Sequence, residues 1–209
     1  MELEYKGANC IVLKTKQATL VVDPNIAAQG LKNQDGKAVV QLATQPAMGV
    51  TPSDALLLDG PGEYEVSNIS VRGVPVRLQT DTPEEGNRGT MYRIDTGEVA
   101  LAVLGHCSTP LSEDQLEQLG VVDIVVVPVG GNGYTLDAHS AVQVVRQLDP
   151  KLVIPTHYAD SEVAYEVPQM DLEPFVKELA ATPEETQKLK IKGQITNETL
   201  GLVILQRTA

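Results

Sequence analysis

Short apolar runs separated by polar breaks dominate the first half of this 209-residue chain. Residues 3–7, 10–15 and 18–23 are too short for helices and are flanked by polar positions, so they predict three strands. The third ends Val21-Val22-Asp23-Pro24: an apolar run, a carboxylate, then a proline that cannot extend a ladder. Residues 27–37 read as a polar, glycine-containing loop. Strands are predicted again at 39–42 and at 54–58 (DALLL), the latter closed by Asp59-Gly60-Pro61-Gly62. Residues 63–71 alternate, with Tyr64, Val66, Ile69 and Val71 interrupted at Ser67-Asn68, and 74–78 continues the pattern after Gly73. A hairpin loop over 80–89 then leads to 90–94, which pairs with 99–104 across Asp95-Thr96-Gly97.

The second half changes rhythm. Ser112-Glu113-Asp114-Gln115 has the spacing of a capping box and opens a short helix to about residue 118, stopped by Gly120. Residues 123–129 (DIVVVPV) read as a buried strand. Residues 138–148 place Ala138, Ala141, Val142, Val145 and Leu148 on one helical face. Residues 151–155 form the next strand. Helices are expected over 171–181 and 183–189, the second capped by Thr182 with Pro183 at its first position. Strands over 190–195 and 200–206 follow. Strand–helix–strand order implies parallel pairing in this half, and meandering strands imply an antiparallel, mixed sheet in the first. One α/β domain spanning 1–209, with two sheets and outer helices, is the expected architecture. The apolar strand GLVILQ could lie at a sheet edge and pair with a second copy, which makes a homo-oligomer a candidate assembly; cover by the chain's own helix is the alternative.

Composition narrows the partners. The formal net charge is −12, with no basic run, which disfavours nucleic acid and anionic membranes. No stretch approaches the length of a membrane span, and the N-terminus lacks a basic segment followed by an apolar one, so a cytoplasmic location is expected. Cys10 and Cys107 are far apart and read as reduced thiols. Aromatic residues are only 3% of the chain, so the core must rest on Val, Leu, Ile and Ala.

Candidate chemistry gathers at strand ends. Asp23-Pro24, Gly105-His106-Cys107 and Thr156-His157-Tyr158 each follow an apolar run, and DALLL ends in Asp59. If those ends share one cleft, two imidazoles meet one or two carboxylates, a donor set suited to a metal ion that activates water. Equally, two remote histidines could simply hydrogen-bond to loop carbonyls. His139 lies beside the apolar stripe of its helix and reads as solvated. His106 and Cys107 are neighbours on an extended chain, so their side chains diverge. Gly130-Gly131-Asn132-Gly133 reads as a tight turn, and Glu63 and Glu65 as a solvated strand face.

The order of elements, with LVVDP, VALAVLGH and the stretch from Asp123 to Tyr158, resembles the metallo-β-lactamase superfamily, in its compact bacterial metal-dependent hydrolase (lactonase-like) branch. The resemblance covers nearly the whole chain, and DGPGEYEV is a second marker. It implies a four-layer αββα sandwich with a metal cleft at one edge between the sheets. The family signature T-H-x-H-x-D-H, which follows an apolar strand, is missing. The corresponding strand here is read as DALLL, and no histidine precedes His106. His106 and His157 match two later metal ligands of the family, and Asp23 matches a carboxylate near the site. Gly131 or Asn132 stands where the family has an Asp. The resemblance therefore implies a divergent member with a degenerate metal site and reduced or lost hydrolase activity, available to bind a small molecule or to self-assemble. The alternative is an active mononuclear hydrolase of a small ester, lactone or phosphoester. It would hold one Zn, Mn or Fe ion on His106 and His157, with Asp59, Glu63 or Asp23 as third ligand.

Overall fold

A computed structural model of the chain describes residues 1–34, 36, 38–51, 53–80 and 88–208. The first half contributes strands β1 (Glu2–Gly7), β2 (Cys10–Lys14), β3 (Thr19–Val22), β4 (Val40–Leu42), β5 (Leu56–Leu58), β6 (Gly62–Val66), β7 (Ile69–Arg77), β8 (Arg88–Asp95) and β9 (Ala100–Val103). The second half adds β10 (Ile124–Pro128), β11 (Leu152–Thr156), β12 (Pro183–Thr186), β13 (Leu189–Lys190) and β14 (Gly201–Leu205), with helices α1 (Glu113–Leu119), α2 (Ala138–Leu148) and α3 (Glu173–Leu179). One sheet has the order β13-β1-β2-β3-β4-β5 and the other β12-β14-β11-β10-β9-β8-β7-β6.

The two sheets pack face to face because their strands alternate apolar side chains toward one another. Leu3, Ile11, Leu13, Leu20 and Leu42 of the first sheet meet Val71, Ile94, Leu101, Val126 and Ile154 of the second. Tyr92 on β8 crosses this core, its hydroxyl donating to the carbonyls of Ala43 at 3.1 Å and Leu58 at 2.9 Å. It thereby ties the ends of β4 and β5 to the opposite sheet.

The central strands β10 and β11 are buried along their whole length, as continuous apolar runs require when both faces are covered. The outer face of that sheet carries the helices. Ala141, Val142, Val144, Val145 and Leu148 of α2, Leu119 of α1 and Phe175 of α3 pack on Val125, Val127 and Val153. The Ser112–Gln115 capping box forms as expected, and Asp137 caps α2 by accepting from the amide of Ser140. The outer face of the first sheet is covered more thinly. Ile26, Leu31 and Ala38, from the segment holding the 3₁₀ turn Ala27–Gln29, lie on Cys10, Val12 and Val21. The fold is thus the expected α/β sandwich, with its fourth layer built from a loop and a 3₁₀ turn.

Several elements differ from expectation. Residues 183–189 are not a helix: β12 runs parallel to β14, with Glu184 opposite Val203. The edge of β14 would otherwise leave backbone donors and acceptors unpaired, and that demand outweighs the helix propensity of a short exposed segment. β14 therefore lies between β12 and β11 rather than at a sheet edge, so it offers no free ladder to a second copy. The strand expected over 190–195 reduces to β13, a two-residue pairing with β1. The helix expected over 171–181 is trimmed to α3. β3, β4 and β5 run parallel instead of meandering, the chain between β3 and β4 crossing the outer face as that loop layer. The interruption at Ser67-Asn68 is a two-residue hairpin turn, both residues at positive φ (52° and 59°), joining β6 to β7. Of the loop expected over 80–89, residues 81–87 lie outside the described residues.

Candidate functional site

Parallel strands deliver their C-terminal ends to one place. Asp23 follows β3, Thr44 and Gln45 follow β4, His106 follows β9, Tyr134 lies in the loop after β10, and His157 follows β11. Loops over a rigid sheet edge are where functional groups collect. Two of these residues carry unusual backbones, Asp23 at φ 47° and His157 at φ 52°. Such values are uncommon outside glycine and are maintained by surrounding contacts. For His157 the contacts are its amide donating to the Ala8 carbonyl at 3.0 Å and the Tyr5 hydroxyl beside it at 3.4 Å. The β1–β2 hairpin thus holds the histidine from the opposite sheet.

His106 and His157 converge. Their ring centroids are 4.9 Å apart with planes at 86°, an edge-to-face pair. The Tyr134 ring stands 4.7 Å from His106 and 5.6 Å from His157, and the Tyr165 ring 4.8 Å from His157. Both histidines are buried, 4% and 2% exposed. Burial removes the water that would solvate an imidazolium, so the pKa of His106 falls to about 3, with His157 adding a smaller repulsion. The same desolvation lowers His157 to about 4. Both rings are neutral near pH 7.

Neighbouring amides fix the tautomers. The Gln45 side-chain nitrogen donates to His106 Nδ1 at 2.8 Å, which places the ring proton on Nε2. That Nε2 is buried and finds no hydrogen-bond partner. His157 Nδ1 lies 3.2 Å from Gln169 Oε1 and donates to it, leaving a lone pair on its Nε2. The cavity between these groups is ≈ 10 Å³, the scale of one water molecule, and is lined also by Asn9, Asp23, Gln29 and Met48. Asn9 Nδ2 and Gln29 Oε1 are likewise buried without partners.

Of the three acidic candidates, only Asp23 shares this cavity. Its Oδ1 accepts from the Thr44 amide and its Oδ2 from the Thr44 hydroxyl, both at 2.7 Å. Burial outweighs these bonds and raises its pKa to about 7. Asp59 is exposed after β5 and does not line the cavity. Glu63 is largely exposed on β6 and pairs with Arg72 at 2.9 Å. β5 and β6 are edge strands of the two sheets, which places both carboxylates on the sandwich flank. Among the described residues, no three His, Cys, Asp or Glu side chains come together closely enough to hold a metal ion. His139 is exposed, as expected, between Glu178 and Gln143.

The strand that opens over the imidazoles is β4, not the DALLL strand β5. Thr44 and Gln45 lie within LATQP, whose apolar-then-polar step resembles those before His106 and His157. That step is the sequence signal for Thr44 and Gln45, neither of which is among the candidates above; Tyr134 and Gln169 carry no such pattern. Gly105 makes the approach of β4 possible: it sits at φ 57°, and a Cβ there would stand 2.6 Å from Thr44 Cβ.

Comparison with known proteins agrees with this architecture. The family described as Beta-lactamase superfamily domain matches residues 2–157. A UPF0173 protein of Pyrococcus furiosus is 26% identical over 199 residues, covering 86% of this chain and 90% of the relative. A Thermotoga maritima structure, described as a candidate zinc-dependent hydrolase of the metallo-β-lactamase superfamily, superposes with a TM-score of 0.77 at 22% identity, covering 98% of this chain and 100% of its own. A metallo hydrolase from Ignicoccus hospitalis superposes with a TM-score of 0.62 at 16% identity, covering 86% and 90%. At these identities the structural likenesses establish the fold.

Proposed function

The chain belongs to the β-lactamase superfamily, and we propose that it is a non-hydrolytic member, a binding scaffold whose metal centre has become a packed core of neutral imidazoles and tyrosines. The observation that carries this reading is the Gln45 amide on His106 Nδ1. A zinc-type ligand needs a lone pair on the nitrogen that faces the ion. With the Gln45 nitrogen on Nδ1, the proton of the neutral ring falls on Nε2, the nitrogen left without a partner.

The rest of the donor set fits a metal no better. A catalytic zinc site uses about three protein ligands. His157 offers one lone pair, and both oxygens of Asp23 are engaged by Thr44. The stretch after β4 reads Thr44-Gln45-Pro46-Ala47-Met48-Gly49-Val50. Placed on T-H-x-H-x-D-H from its threonine, it keeps none of the four metal-binding residues. The cavity of ≈ 10 Å³ also leaves no room for a substrate beside the rings.

The test is metal content. Protein purified without a histidine tag and refolded separately with Zn, Mn or Fe(II) is analysed by mass spectrometry of the metal and assayed on small esters, lactones and phosphoesters. Metal well below one ion per chain and no turnover are expected. One tightly held ion per chain, with turnover lost in His106→Ala, would overturn the reading in favour of a mononuclear hydrolase using His106, His157 and Asp23.

A further inference from the structure

Three residues that line the imidazole cavity each hold a buried polar atom with no hydrogen-bond partner among the described residues: His106 Nε2, Asn9 Nδ2 and Gln29 Oε1. Asn9 Nδ2 lies close enough to favour the Asp23 carboxylate, but not in hydrogen-bonding geometry. The three come from separate parts of the fold. Asn9 is in the turn between β1 and β2, Gln29 in the 3₁₀ turn of the loop layer, and His106 follows β9 in the other sheet. Unpaired buried donors and acceptors are costly and uncommon, so three of them around one small cavity point to an occupant.

We propose that this cavity is a binding site for one ordered water molecule, which bridges the imidazole pair to the β1–β2 turn and the loop layer. The inference rests on the metal-free reading above, because it uses the proton on His106 Nε2. Size sets the first limit. A volume of ≈ 10 Å³ is at the lower bound for a single water, about 10–15 Å³, and excludes an organic molecule. Polarity sets the second. His106 Nε2 and Asn9 Nδ2 are donors, while Gln29 Oε1 and the lone pair of His157 Nε2 are acceptors. The Thr156 hydroxyl, donating to Asn9 Oδ1 at 3.3 Å, fixes which way that amide points. A cation would meet the two donors. An anion would meet the two acceptors and Asp23, which lines the same cavity. Water alone of the three offers both protons and lone pairs, and a buried water typically makes about three hydrogen bonds. Bridging of this kind joins segments whose own polar groups do not reach one another. Here it links the two sheets at the edge where Asp23, His106 and His157 meet, and it gives His106 the acceptor that no described side chain supplies.

The test is a high-resolution crystal structure of the full-length protein, with diffraction data also collected just above the zinc absorption edge. One peak without anomalous signal is expected, about 2.7–3.2 Å from His106 Nε2 and from at least two of Asn9 Nδ2, Gln29 Oε1 and His157 Nε2. An anomalous peak about 2.0–2.1 Å from an imidazole nitrogen would overturn both the water and the metal-free reading. No peak in the cavity would overturn the water alone and leave that reading standing. A second measurement uses the protein in solution. Rotating-frame cross-relaxation between the water signal and the Asn9 side-chain amide protons should give a cross peak of dipolar sign, as a long-lived buried water requires. Its absence would remove the water as a resident of the site.

Discussion

The imidazole rings of His106 and His157 meet edge to face with centroids 4.9 Å apart, although one ring follows β9 and the other β11. β10 lies between those strands, in parallel register with both. The two rings are therefore brought together by chain turns beyond the ladder, not by direct strand pairing. Around them stand tyrosine rings and side-chain amides, which suit neutral imidazoles and not imidazolium ions. Three consequences of that environment can be measured, and a fourth concerns the core beneath it.

The first is acid sensitivity. In the unfolded chain both histidines protonate near pH 6.5, but in the fold they stay neutral down to about 4 for His157 and about 3 for His106. Their contribution is full above pH 6.5 and is lost as pH falls. Asp23 acts in the opposite sense: its folded pKa is raised to about 7, so its contribution is present at low pH and is lost as pH rises through that value. As pH falls from 6.5 to 5, the uptake on unfolding rises toward two protons at the histidines while Asp23 releases about one, so the net uptake approaches one. Stability measured by urea unfolding should fall on acidification with a slope approaching about 1.4 kcal/mol per pH unit. Asp23→Asn, which keeps both contacts to Thr44, should steepen the slope toward about 2.7 kcal/mol per unit. A flat profile, or one unmoved by the substitution, would contradict the assignment of neutral rings.

The second concerns Gln45. Replacing it by Leu leaves buried His106 Nδ1 without its donor, and a loss of about 1–3 kcal/mol in folding stability is expected. Gln45→Glu should act differently. An adjacent carboxylate favours the imidazolium, so the His106 ring pKa should move upward from about 3, read from ring proton shifts across a pH series. An unmoved titration would mean that the amide does not set the state of that ring.

Much of this arrangement was legible in the sequence, and the exceptions have physical reasons. Continuous apolar runs identified β10 and β11 because strands covered on both faces need no polar positions. The stripe of α2 and the box at Ser112 were equally readable. His106 and His157 stood out because each follows such a run. Residues 183–189 misled because local propensity favoured a helix while the open edge of β14 needed a partner. Asp59 and Glu63 could not be separated from Asp23 as candidates, since nothing in the sequence says that β5 and β6 are edge strands. Gln45, Tyr134 and Gln169 come to the histidines from three separate segments, and their meeting is a property of the tertiary fold alone.

The third prediction tests how tightly the end of β4 is fitted against the turn before His106. At Gly105 a methyl group meets Thr44 Cβ at 2.6 Å and also forces a left-handed backbone on a side-chain-bearing residue. Gly105→Ala should cost about 2 kcal/mol or more from these combined effects. Thr44 is also the residue that donates twice to Asp23, so the Asp23 carboxyl resonance should shift in the same variant. Unchanged stability would show that the turn relaxes freely and that the contact is not formed.

The fourth concerns Tyr92, which is fully buried and whose hydroxyl serves two carbonyls of the opposite sheet, Ala43 and Leu58. Those carbonyls lie at the ends of β4 and β5, two short strands at one side of the six-stranded sheet, of which β5 is the edge. β5 has a partner on one side only, so its ladder bonds are few, and the tyrosine supplies an anchor from below. Tyr92→Phe retains the ring and removes only the donor, leaving two buried acceptors weakened. A loss of about 1–3 kcal/mol is expected in urea unfolding. Faster amide exchange should be confined to β5 and the end of β4, because the remaining strands keep their ladders and their packing. Equal acceleration throughout both sheets would mean that the hydroxyl stabilises the sandwich globally and not that corner, and no acceleration at β5 would remove the anchor role altogether.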